Sequence, residues 1–106
     1  MADNEILLEG GSGTEYKYWI HRLPQSFKAF AGNYIFAKET KPGKYTPVYI
    51  GEAEDLSVCF ENHHAMSRIE KAGATHILAH TTTLGFLTRR DEQIDLIDKY
   101  DPACNK

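Results

Sequence analysis

The side chains able to do chemistry are few and can be taken in turn. His63 follows Cys59 by four residues, one helical turn along the same face. A thiolate nucleophile needs a cationic neighbour and a partner base, and His63 fits that description. The preferred reading of Cys59 is a buried, small apolar thiol. His63 and His64 are adjacent and diverge by about 100° on a helix, so one position of the pair, His63, faces any common site. His76 and His80 share a strand face with Leu78. Four strand residues span about 13 Å, so the two cannot chelate one metal alone and read as structural or surface histidines. From Lys17 to Lys44 there are six basic residues and one acidic residue, Glu39. Lys38, Lys41 and Lys44 belong to this segment, and Tyr16, Tyr18, Trp19, Phe27 and Phe30 lie in or beside it. Lysines among aromatics can follow a nucleic-acid backbone while the rings stack on bases. Core aromatics with solvated lysines are the competing reading and are slightly preferred. Asp91, Glu92, Asp95 and Asp98 make the last helix a poor face for phosphate.

The elements that must position these groups fit in one domain, because the chain has 106 residues. A hydrophobic fraction of 42% argues against wholesale disorder. A net charge of −3 excludes an overall basic nucleic-acid binder, though not a local basic patch. No apolar run approaches the roughly 20 residues that span a bilayer, so no membrane partner is expected. The acidic start, Met1 to Glu5, lacks the basic opening of a signal peptide. Two lone cysteines, Cys59 and Cys104, form no C-x-x-C pair. Reduced thiols and a cytoplasmic location are expected.

Residues 1–15 read as a flexible tail, with Gly10-Gly11-Ser12-Gly13 as linker chemistry. Residues 16–106 read as the single domain. Ile6-Leu7-Leu8 leaves room for an extra N-terminal strand. Tyr16 to Ile20 reads as a strand. Asn33 to Lys38 is another, with Tyr34 and Phe36 on one face. Lys41-Pro42-Gly43-Lys44 is a turn, and Pro47 to Gly51 returns antiparallel. Helices are predicted over Ala53 to His64, Ala65 to Ala72 and Thr88 to Tyr100, and a strand over Thr75 to His80. Leu87, Ile94 and Ile97 are assigned to the core stripe of the last helix, with Leu96 and Tyr100 beside it. The order predicts an α+β fold or an α/β sandwich, with a small sheet.

Gly32-Asn33-Tyr34 and Tyr49-Ile50-Gly51 resemble the two motifs of the GIY-YIG nuclease superfamily. Gly51, Ala53, Asp55 and Leu56 continue the pattern, and Leu96-Ile97, Tyr100, Pro102 and Asn105 resemble the family's closing signature. The likeness spans Gly32 to Asn105. It implies a small three-stranded antiparallel sheet flanked by helices, and hydrolysis of DNA phosphodiesters with one divalent metal, Mg²⁺ or Mn²⁺. In the family the motif tyrosines position or activate water. An arginine on the first helix steadies the phosphate, and a glutamate on the last helix holds the metal, as guanidinium and carboxylate chemistry suits.

Carried over residue by residue, the tyrosines are Tyr34 and Tyr49, and Asn105 is the terminal asparagine. The arginine position holds Cys59, with His63 one turn further. The glutamate position holds Gln93, a poor ligand for a hard cation, and Glu92 beside it points about 100° away. The resemblance therefore implies a domain with lost or weakened catalysis. Its remaining role would be to bind nucleic acid through Lys38, Lys41 and Lys44, or another protein. One alternative is an active endonuclease rebuilt from Tyr34, Tyr49, His63 and Arg89, with Glu92 on the metal and Arg68 as a further guanidinium. Another is an unrelated small α+β interaction module.

Overall fold

A computed structural model describes residues 4–58, 63–82 and 84–105. Strand β1 (Glu5–Glu9) turns into β2 (Glu15–Arg22). Strands β3 (Gly32–Lys41) and β4 (Lys44–Ala53) form the second hairpin. Helix α1 (Met66–Lys71) leads to β5 (His76–Thr81), and helix α2 (Phe86–Tyr100) leads to a short 3₁₀ turn, Ala103–Asn105. The five strands form one antiparallel sheet in the order β1-β2-β5-β3-β4.

Alternation sorts the strand side chains onto two faces. Tyr34, Phe36, Tyr49, Ile77 and Ala79 pack with Leu56 and with Ile69 of α1. Tyr18, Ile35, Ile50 and Leu78 pack on the other face with Leu96 of α2. Helix α2 contacts β4 at one edge of the sheet and β1 at the other, so the sheet curls around it.

This corrects the expected three-stranded sheet flanked by helices. Two more strands join the sheet through β5, and two α-helices are present among the described residues. The added hairpin includes residues 5–9: the extra N-terminal strand at Ile6-Leu7-Leu8 forms, within the stretch expected to be a flexible tail. The glycines of its turn serve close approach. A side chain at Gly10 would run into the Asp95 carboxylate, and one at Gly11 into that of Asp98. Gly11 N–H donates to the Asp95 carbonyl at 3.0 Å. Ser12 N–H and Oγ donate to the Asp95 carboxylate at 2.8 and 2.7 Å, and Tyr16 Oη donates to it at 2.7 Å.

The helix expected from Ala53 to His64 is absent from the described part of that stretch. Ala53 ends β4, and the Asp55 carboxylate accepts from Ser57 N–H at 2.9 Å. That local bond favours a turn over a helix. Leu56 N–H is spent on the Phe30 carbonyl at 2.9 Å. The core stripe of α2 also differs from expectation. Leu87 and Ile94 are 61% and 55% exposed, whereas Arg89, Glu92 and Leu96 are buried.

Candidate functional site

The β3–β4 register puts Tyr34 opposite Gly51 and Phe36 opposite Tyr49. The two tyrosines are thus diagonal neighbours on one face. Their ring centroids are 6.1 Å apart and the planes are inclined by 23°. Gly51 makes this possible, because a Cβ there would sit 2.5 Å from Tyr34 Cζ and Oη. Gly32 has an equivalent reason: a Cβ would strike the His80 carbonyl on β5. Both motif glycines are required by neighbours rather than by a left-handed backbone, since neither has positive φ.

His63, just before α1, closes over the pair. Its ring meets Tyr49 edge-on at 4.8 Å and stacks on His64 at 4.8 Å. Ala65 N–H donates to His63 Nδ1 at 3.1 Å. In the neutral ring the proton is then on Nε2, which donates to Tyr34 Oη at 2.7 Å. Burial, and then the charge of His64, lower the His63 pKa, so the neutral form holds at pH 7. The Tyr34 hydroxyl accepts from His63 and in turn directs its proton toward Tyr49, which acts to lower the Tyr49 pKa. Burial is the larger influence and leaves the Tyr49 phenol raised, while the positive charge of Arg68 on α1 also acts downward. Proton donation thus runs in one direction, from His63 to Tyr34 to Tyr49. Tyr49 Oη lies 3.5 Å from His64 Nε2, a long contact.

These groups line an open cleft of roughly 440 Å³ that wraps the β4 edge at Gly51. Tyr34, Tyr49, His63 and His64 form one wall, and Glu52 and Gln93 the other. Gln93 Nε2 donates to the Ile50 carbonyl at 3.2 Å. Asn105 acts like a short length of neighbouring strand. Its Nδ2 donates to the Ile50 carbonyl at 2.8 Å and its Oδ1 accepts Ile50 N–H at 2.7 Å. The side chain thereby satisfies both backbone groups on the outer edge of β4.

The remaining expected site residues lie elsewhere. Arg89 is buried behind the cleft, with Nε donating to Glu52 Oε2 at 3.0 Å and a terminal nitrogen donating to the Leu84 carbonyl at 2.9 Å. Its fork positions Glu52 and does not face a ligand. Glu92 is turned away, accepting from Tyr18 Oη at 2.5 Å and lying 2.6 Å from His80 Nε2 beneath α2. Burial and the Glu92 carboxylate push the Tyr18 phenol well above its ordinary value. Lys38, Lys41 and Lys44 are exposed on the β3–β4 hairpin. Lys41 is seven residues from Tyr34 along the strand, about 23 Å, and Lys38 about 13 Å. Cys59 lies outside the described residues. Glu52 was missed, although it directly follows the second motif: alternation points it to the opposite sheet face, and the cleft reaches it only because β4 is an edge.

The donor set does not fit Mg²⁺ or Mn²⁺. Gln93 offers a neutral amide, the Glu52 carboxylate is paired with Arg89, and Glu92 is spent on the far side of α2. Among the described residues no three His, Cys, Asp or Glu side chains converge on a metal position. No helix among them is long and apolar enough to cross a membrane. Comparison with family models, curated proteins and solved structures finds no match.

Proposed function

We propose that the chain is a GIY-YIG-like domain that keeps its cleft for binding nucleic acid and has lost or weakened metal-dependent cleavage. One observation carries this reading: Tyr34, Tyr49 and His63 converge in a single hydrogen-bonded array, while the position expected to hold the metal carboxylate is Gln93. The array ends on the Tyr49 hydroxyl, which is the donor it presents to a phosphate, and Arg68 adds positive charge beside Tyr49. The exposed lysines of the β3–β4 hairpin extend the positive surface along the backbone of a bound strand. The resemblance rests on the cleft residues, since the sheet is larger than the family pattern implies. A cytoplasmic, DNA-contacting role belongs to this proposal. The endonuclease rebuilt on Arg89 and Glu92 receives no support, because Arg89 is buried and spent on Glu52 and the Leu84 carbonyl, and Glu92 is paired on the far side of α2.

Fluorescence anisotropy with labelled single-stranded, duplex and branched DNA tests the reading. Binding at low salt should weaken about tenfold in Arg68→Ala and fall steeply between 50 and 200 mM salt. Absence of binding to every one of these substrates at low salt refutes it.

A further inference from the structure

We propose that the outer face of α2 docks a basic amphipathic helix of a partner protein, independently of the tyrosine–histidine cleft. The first half of helix α2 is inverted relative to an ordinary surface helix, whereas Leu96 in its second half packs inward. Its buried face carries Arg89 and Glu92, paired internally, while Phe86, Leu87 and Ile94 are 48%, 61% and 55% exposed. Leu87 and Ile94 are two turns apart on one stripe, forming a ridge about 10 Å long. Single exposed apolar residues are ordinary, but an aligned set on one helix marks a contact surface.

Charge decides the occupant. Beside Ile94 runs an open groove of roughly 500 Å³ whose wall includes Asp91, Asp95 and Asp98. Hydrogen bonds from Ser12 and Tyr16 hold the Asp95 carboxyl below its ordinary value, so it stays ionised at neutral pH. Arg90 is the nearby cation on this face, 3.9 Å from Asp91 and resting over the Phe86 ring. A second copy of the chain would bring Asp91, Asp95 and Asp98 of both molecules together against one Arg90 from each, which disfavours self-association. Nucleic acid is disfavoured by the same carboxylates. A helix with apolar residues at i, i+3, i+4 and i+7 fits the ridge, and lysines or arginines on its flank fit the groove.

The test uses the full chain and two synthetic helical peptides of about 14 residues with the same leucine pattern, one with lysine and one with glutamate at the flanking positions. NMR amide shifts on titration should map the lysine peptide to residues 87–98. The glutamate peptide should bind at least about tenfold more weakly. Leu87→Asp with Ile94→Asp should weaken the lysine peptide by about tenfold or more. Both positions are exposed, so circular dichroism should show an unchanged fold. Asp91→Asn with Asp98→Asn, which leaves the ridge intact, should weaken the lysine peptide severalfold and the glutamate peptide not at all. The proposal is overturned if the lysine peptide does not bind, if both peptides bind alike, or if the shifts map to the Tyr34 cleft. It is equally overturned if light scattering shows a dimer that Leu87→Asp dissociates.

Discussion

Gly51→Ala isolates the feature on which the cleft is built. Gly51 does not have positive φ, so alanine is permitted by the backbone, and the added Cβ meets the end of the Tyr34 ring at 2.5 Å. Tyr34 is 4% exposed and packed, so its ring cannot simply swing into solvent. Moving it forfeits the bond from His63, about 1 kcal/mol net. Crowding in a packed core adds about 1–3 kcal/mol. Alanine recovers about 0.5 kcal/mol over glycine in a strand, which leaves a net loss of about 1.5–3.5 kcal/mol. At about 4–8 °C per kcal/mol for a domain of this size, the melting temperature should fall by roughly 6–28 °C. The assay is urea and thermal unfolding of a double-mutant cycle with Tyr34→Leu, which removes Cζ and Oη. In that background Gly51→Ala should be close to neutral, giving a coupling of about 2 kcal/mol. An equal cost in both backgrounds would falsify the claim that the glycine exists to admit the tyrosine ring.

Three further outcomes follow from the same geometry. Asn105→Ala should cost about 1–3 kcal/mol, because Ile50 is fully buried, its N–H loses its partner and its carbonyl keeps the bond from Gln93 alone; hydrogen exchange at the Ile50 amide should accelerate, and an unchanged rate would remove Asn105 from that role. His63 should titrate below 6.5 by NMR, because burial disfavours its charged form. Its folded pKa lies under the unfolded value, so stability is full above about pH 6.5 and declines as pH falls toward the folded pKa. His21, lowered by burial, acts in the same sense, and His63→Gln should reduce the slope without abolishing it. The Tyr16 phenol, pushed up to about 12 by burial and then by Asp95, should titrate lower in Asp95→Asn when followed by ultraviolet absorbance. A midpoint unchanged by that substitution would show that Asp95 does not hold the β1–β2 turn as described.

Where the sequence reading succeeded, one local rule was enough. Alternation placed Tyr34 and Phe36 on one face, and Pro42-Gly43 marked the hairpin turn that brings Tyr34 toward Tyr49. It failed where a distant partner reversed a local signal. Gly10 and Gly11 read as flexible, yet they lie against Asp95 and Asp98, more than 80 residues away. Asp55 read as part of a helix, but its carboxylate makes a turn with Ser57. The apolar spacing of Leu87 and Ile94 pointed them inward, and Arg89 and Glu92 displaced them by finding Glu52, Tyr18 and His80 as buried partners. Such pairings are set by topology and leave no periodic trace. Glu52 entered the cleft for the related reason that β4 is an edge strand, a property no stretch of local sequence encodes.

The most direct test of the proposed function combines binding and cleavage in one tube. Wild-type protein is mixed with labelled branched, duplex or single-stranded DNA and Mg²⁺ or Mn²⁺, and anisotropy and strand length are read from the same sample. The account predicts a bound complex in which the DNA stays intact, with Gln93→Glu raising Mn²⁺ affinity measured by calorimetry. Complete metal-dependent cutting of the bound DNA by the wild type, abolished by Tyr34→Phe, would contradict it.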